Sequence, residues 1–107
     1  MTPELGLIEG YFGRPWSPQD RRHVIGTIGR LAYGFFHYAP KAEPLLRRRW
    51  RESLPDATLA EIAGLSADCR AAGLRFGVGL SPFELYRDPA DAAMADFVAK
   101  VRSLDAA

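Results

Sequence analysis

Leu5-Gly6-Leu7-Ile8-Glu9-Gly10-Tyr11-Phe12-Gly13-Arg14-Pro15-Trp16 is the stretch on which the fold turns. Its first half is a short apolar run, 5–9, of the kind that forms a buried parallel strand. Its second half is a loop dense in glycine and aromatic residues. Ser17 follows as an expected N-cap, with Pro18 at the first helical position and Asp20 three residues past the cap. Val24, Ile25, Ile28 and Leu31 then recur at helical spacing and predict one apolar stripe. Gly26 and Gly29 weaken this helix by about 1 kcal/mol each relative to alanine. Their small size suggests close approach to a sheet.

The same strand–loop–helix order recurs twice. Residues 34–38, Gly-Phe-Phe-His-Tyr, form a second expected strand, stopped by Pro40. Residues 42–55 predict an irregular basic loop carrying Arg47, Arg48, Arg49, Trp50 and Arg51. Thr58 and Glu61 suggest a capping box for a second helix, with Leu59, Ile62, Ala63 and Ala67 on one side and Gly73 as its C-terminal cap. Residues 76–80, Phe-Gly-Val-Gly-Leu, form the third strand, ended by Ser81-Pro82. Asp88 and Pro89 suggest the start of a third helix, with Met94, Phe97, Val98, Val101 and Leu104 as its stripe. Three strand–helix units of roughly 35 residues each predict a parallel α/β sheet with right-handed crossovers. A (β/α)8 barrel typically needs about 250 residues, so 107 residues hold less than half of one. A three-stranded parallel sheet cannot close, so the expectation is an incomplete α/β sheet: either the sequence is incomplete or it assembles with something else.

Composition narrows the function. A net charge of +1 provides no electrostatic case for nucleic acid or for an anionic membrane. The single cysteine, Cys69, excludes an internal disulfide and a cysteine-based zinc site. It is expected as a buried core thiol. His23 and His37 lack a spacing that suggests metal ligation, and no cofactor motif is present. Met1-Thr2-Pro3-Glu4 has no basic region leading into an apolar run, so no signal peptide is expected and a cytoplasmic location is the default. No apolar segment is long enough to cross a bilayer.

Parallel α/β folds place their chemistry at the carboxyl ends of the strands. That rule brings Glu9-Gly10-Tyr11, Tyr38-Ala39-Pro40-Lys41 and Ser81-Pro82-Phe83-Glu84 to one rim. Tyr11, Phe12 and Trp16 offer flat apolar faces suited to the C–H faces of a pyranose. Arg14 suits a loop carbonyl or a carboxylate. Lys41, fixed behind a proline, can donate to sugar hydroxyls. The arginine run reads as a solvated face, with Trp50 packing the loop onto the body. The rim offers Glu9, Glu43 and Glu84, yet no two acidic residues of the chain are adjacent.

The stretch 6–16 resembles the opening strand and loop of the β-N-acetylglucosaminidase domain of glycoside hydrolase family 84. That family includes protein O-GlcNAcases and bacterial enzymes often labelled hyaluronidases. Tyr38-Ala39-Pro40-Lys41 is similar to the family's second-strand motif, and Trp50-Arg51-Glu52 to the segment after it. The resemblance implies a (β/α)8 barrel that removes N-acetylglucosamine from glycosides or glycoproteins with retention, assisted by the substrate's own acetamido oxygen. It implies that 1–107 are the N-terminal portion of that TIM-type barrel, its first three βα units with an incomplete parallel sheet. It implies that Gly10, through its backbone, and Lys41 contact sugar hydroxyls. The two adjacent catalytic aspartates of the family have no counterpart in these 107 residues, which implies that this chain alone is inactive. Ala42 stands where the family commonly has an acidic residue. Two other readings fit the same residues. One is a non-catalytic N-acetylglucosamine-binding module, and the other a small α/β interaction protein completed by oligomerisation.

Overall fold

Alternation along three short runs decides which side chains meet. In the computed structural model, which describes residues 3–87 and 91–107, the strands are β1 (Gly6–Glu9), β2 (Phe35–Tyr38) and β3 (Arg75–Val78). They form one parallel sheet in the order β1-β2-β3. Gly6 lies opposite Phe35 and Glu9 opposite Tyr38, while Phe35 lies opposite Arg75 and Tyr38 opposite Val78. The third strand starts one residue earlier than its apolar run predicts and ends at Val78, before Gly79 and Leu80. Successive residues point to opposite faces. Leu7, Phe36, Tyr38, Phe76 and Val78 thereby join the core, in which Phe36 is wholly buried. Burying a phenylalanine of this kind contributes about 2–3 kcal/mol.

Helices cover one face: α1 (Pro18–Arg30), α2 (Asp56–Ala71) and α3 (Asp91–Ala106). The Ser17 cap is as expected, its hydroxyl accepting from the Asp20 N–H at 3.1 Å with Pro18 opening the helix. The buried stripe of α1 is Arg21, Ile25 and Ile28, and Leu31 is exposed because it forms the C-cap where the helix has already ended. Gly29 does permit a close approach, but to the end of α2 and not to the sheet. A Cβ on Gly29 would stand 2.9 Å from the Ala72 Cβ.

The Thr58–Glu61 capping box does not form. α2 begins two residues before Thr58, with Pro55 at the N-cap, and Glu61 turns to a partner on α1. Its buried residues are Ile62, Leu65 and Cys69, whereas Ala67 is exposed. Cys69 is fully buried, as expected for a core thiol. Gly73 has φ 79° and terminates α2 as its position predicts.

The loop after β2 is less irregular than its composition suggests. Pro44–Leu46 form a 3-10 turn capped by the Glu43 carboxylate, which accepts from the Leu45 N–H at 3.1 Å. Trp50 packs this loop onto the body, buried to 2% exposure and donating from Nε1 to the Phe83 carbonyl at 3.0 Å. The expected Asp88–Pro89 cap of α3 lies outside the described residues. The α3 stripe is only half realised. Phe97 and Leu104 are partly buried, but Met94, Val98 and Val101 are exposed, and the buried positions are Ala93 and Lys100. Lys100 is drawn inward because its ammonium donates to the Glu52 carbonyl. None of the described helices is long and apolar enough to cross a membrane.

Candidate functional site

At the carboxyl ends of β1 and β2 the chain makes two loops that lean on each other. The first is closed by the Tyr11 hydroxyl donating to the Arg14 carbonyl at 3.0 Å. Gly13 takes φ 116° there, a region a side chain would strain. The Tyr11 and Trp16 rings lie 5.7 Å apart at 50°, so the loop presents a tilted aromatic pair. Phe12 is 76% exposed. The second loop is held by Arg47, whose guanidinium donates to the Lys41 carbonyl at 2.9 Å and sits 5.7 Å from the Phe12 ring centre. One side chain from the basic run therefore ties the Lys41 loop to the aromatic loop.

Gly10 and Lys41 are brought together. A Cβ on Gly10 would stand 3.7 Å from the Lys41 Nζ and 3.3 Å from the Ile8 Cγ2. The Gly10 N–H donates back to the Ile8 carbonyl at 3.0 Å. Its own carbonyl is thus the backbone group it can offer a ligand hydroxyl, beside an ammonium with three donors. An ammonium donor beside the Gly10 backbone suits the hydroxyls of a polyhydroxylated ring, while Trp16 is partly buried against the core.

The rim acids have other occupations. Glu9 does not face the rim. It is fully buried on the helix side, where both carboxylate oxygens accept from the Arg21 Nε at 2.8 and 3.1 Å. Arg21 is 4% exposed, donates a further hydrogen bond to Glu61 at 2.5 Å, and lies 4.9 Å from the Tyr38 ring centre. Burial raises the Glu9 carboxyl above its usual 4.5, against the pull of the Arg21 guanidinium. Burial opposes the charge on Arg21, but Glu9, Tyr38 and Glu61 outweigh it and hold its pKa above the usual guanidinium range. Burial also pushes the Tyr38 phenol up to about 12. Glu43 caps the 3-10 turn, and Glu84, at φ 60°, pairs with Arg87 at 3.2 Å.

The solvated-face reading of the arginines holds for some and fails for others. Arg49 pairs with Glu52 at 2.5 Å, Arg51 with Asp96 at 3.8 Å, and Arg48 lies over Phe83. Arg47 is half-buried and belongs to the rim. Arg21 belongs to no motif in the sequence, and its one signal there is its place at the i−4 and i−7 positions of the Ile25–Ile28 stripe. The ring of His37 lies across Gly77 and 4.6 Å from Phe35, a packing role, and His23 is exposed. Among the described residues no group of three or more His, Cys, Asp or Glu side chains is placed to hold a metal.

A β-N-acetylglucosaminidase family model matches residues 5–107. The rat and mouse protein O-GlcNAcases (Rattus norvegicus and Mus musculus) are each 27% identical over 77 residues, which is 72% of this chain and 8% of theirs. Among solved structures, CpGH84D superposes with a TM-score of 0.86 at 28% identity, over 96% of this chain and 18% of that one. An O-GlcNAc hydrolase from Thermobaculum terrenum superposes with a TM-score of 0.85 at 24% identity, over 94% and 22%. The chain thus spans less than a quarter of the length of each of these proteins.

Proposed function

Because this chain belongs to the β-N-acetylglucosaminidase family, we propose that it forms the first three βα units of a (β/α)8 barrel that cleaves β-linked N-acetylglucosamine, and that its part is to grip the sugar. The observation that carries this reading is the proximity of the Gly10 backbone to the Lys41 ammonium at the ends of neighbouring parallel strands. Lys41 donates to ring hydroxyls and the Gly10 carbonyl accepts from one. Tyr11 and Trp16 lie against the apolar face of the sugar. The substrate class is the glycoside on which the named relatives act, O-linked N-acetylglucosamine on protein.

In a substrate-assisted retaining mechanism the acetamido carbonyl oxygen attacks the anomeric carbon while a general acid protonates the leaving oxygen. Water then opens the ring intermediate with retention. That scheme needs two carboxyl groups side by side with pKa values pushed apart. The described rim carboxyls are committed elsewhere: Glu9 to Arg21, Glu43 to the Leu45 N–H and Glu84 to Arg87. The polypeptide by itself therefore binds the sugar and does not cleave it.

The test is a titration of the isotopically labelled chain with N-acetylglucosamine, followed by NMR. Saturable shifts at Gly10 and around Lys41, lost in Lys41→Ala, are expected. No saturable binding at millimolar sugar, or turnover of a chromogenic N-acetylglucosaminide by homogeneous 107-residue chain, overturns the reading.

A further inference from the structure

We propose that Arg21 is the positioning residue of this sugar site, one guanidinium setting the separation of the Gly10 and Lys41 loops; the assignment rests on the reading of those two residues as the gripping pair. Arg21 occupies a place in the buried α1 stripe, with Ile25 and Ile28. A buried ion pair is a poor device for stability, because desolvating the two charges offsets most of their attraction. Replacing such a pair by apolar residues of similar volume is often neutral or stabilising. An apolar pair cannot, however, fix angles.

The fork of Arg21 does so at two points. It is bonded twice to Glu9, the residue before Gly10, and stacked on Tyr38, three residues before Lys41. Glu9 and Tyr38 are register partners, and the Glu9 carbonyl accepts from the Ala39 N–H at 3.0 Å, so the two strands stay paired up to the loops. Glu61 anchors the other end of the guanidinium to α2. Arg21 contacts the last residue of each strand from the helix side, so its placement bears on how Gly10 and the Lys41 loop leave that paired edge.

The experiment compares N-acetylglucosamine titration and thermal unfolding of the wild-type chain with the Glu9→Leu/Arg21→Met double variant. Glu61, a third exposed, turns to solvent when its partner is gone. The expected result is an unfolding midpoint at or above wild type with affinity weakened roughly tenfold or more, because the supporting shell no longer fixes the grip. Arg21→Lys keeps the charge without the planar fork and is expected to fall between the two. Ile25→Val lowers the midpoint without touching the loops and should leave affinity unchanged. Wild-type affinity in a folded double variant overturns the assignment; if that variant does not fold, wild-type affinity in Arg21→Lys does. Absence of binding by the wild-type chain removes the grip itself and this assignment with it, and is told apart because it needs no variant.

Discussion

Ala32 and Gly73 occupy the same position in the same helix-ending motif. After α1 the Tyr33 N–H donates to the Ile28 carbonyl and the Ala32 N–H to Gly29; after α2 the Leu74 N–H donates to Cys69 and the Gly73 N–H to Arg70. Both are Schellman endings, and both need a left-handed residue. Gly73 meets that need freely at φ 79°, whereas Ala32 is held at φ 61° with a Cβ that resists it. Ala32→Gly should raise stability by about 1 kcal/mol, and Gly73→Ala should lower it by about the same amount. Thermal or urea unfolding of the two single variants checks both signs.

Two buried acids make the fold sensitive to alkali. Burial lifts the Cys69 thiol from 9.0 to about 11 and the Tyr38 phenol from 10.0 to about 12. In each case the unfolded chain loses its proton first. The stabilisation is therefore full below pH 9 and is lost as pH rises, through about 11 for Cys69 and about 12 for Tyr38. The loss is on the order of 2–3 kcal/mol per group. Urea unfolding at stepped pH values should show stability falling from about pH 9 in wild type and from about pH 10 in Cys69→Ala, where only the phenol remains. A flat profile between pH 9 and 11 in the wild-type chain would contradict the burial of both groups.

Trp50 bridges two loops and a helix. Its indole N–H reaches the Phe83 carbonyl at 3.0 Å and its ring meets Phe97 edge-on at 6.1 Å. Trp50→Phe keeps most of the ring and loses the donor, which should cost about 1 kcal/mol. Trp50→Ala also empties a core position and should cost about 3–5 kcal/mol. Because α3 is tied down near this ring, hydrogen exchange in α3 should rise more in the alanine variant than in the phenylalanine one.

Features written in a few neighbouring residues are legible in the sequence alone. The Ser17-Pro18 helix start, the Gly73 ending and the two rim loops each depend on local backbone chemistry, and each is where the sequence puts it. Features that depend on distant partners are not. Glu9 and Arg21 are twelve residues apart, and Arg21 and Glu61 forty, so no local pattern distinguishes a buried bidentate acid from a rim acid. Glu61 fits a capping box by spacing, yet an unpaired buried guanidinium costs far more than a missing cap, so the ion pair decides where it goes. The α3 stripe failed for a related reason. Helical periodicity says which residues share a face, and only packing says whether that face is covered.

The approach of Gly10 to Lys41 leaves room for a methyl group in the fold, but under the proposed grip that methyl would compete with the sugar. In Gly10→Ala the new Cβ stands 3.3 Å from the Ile8 Cγ2, 3.7 Å from the Lys41 Nζ and 3.8 Å from the Ala39 carbonyl. Ile8 is 58% exposed and can rotate away, so the stability cost should stay below about 1 kcal/mol. The methyl nevertheless takes up space 3.7 Å from the Lys41 ammonium, which the proposed grip reserves for a sugar hydroxyl. N-acetylglucosamine affinity should therefore fall at least about tenfold in Gly10→Ala and by a similar factor in Lys41→Ala, with unfolding midpoints close to wild type. The two losses should not add in the double variant, since each removes one side of the same grip. Undiminished binding by Gly10→Ala would mean that the sugar does not enter between these two residues.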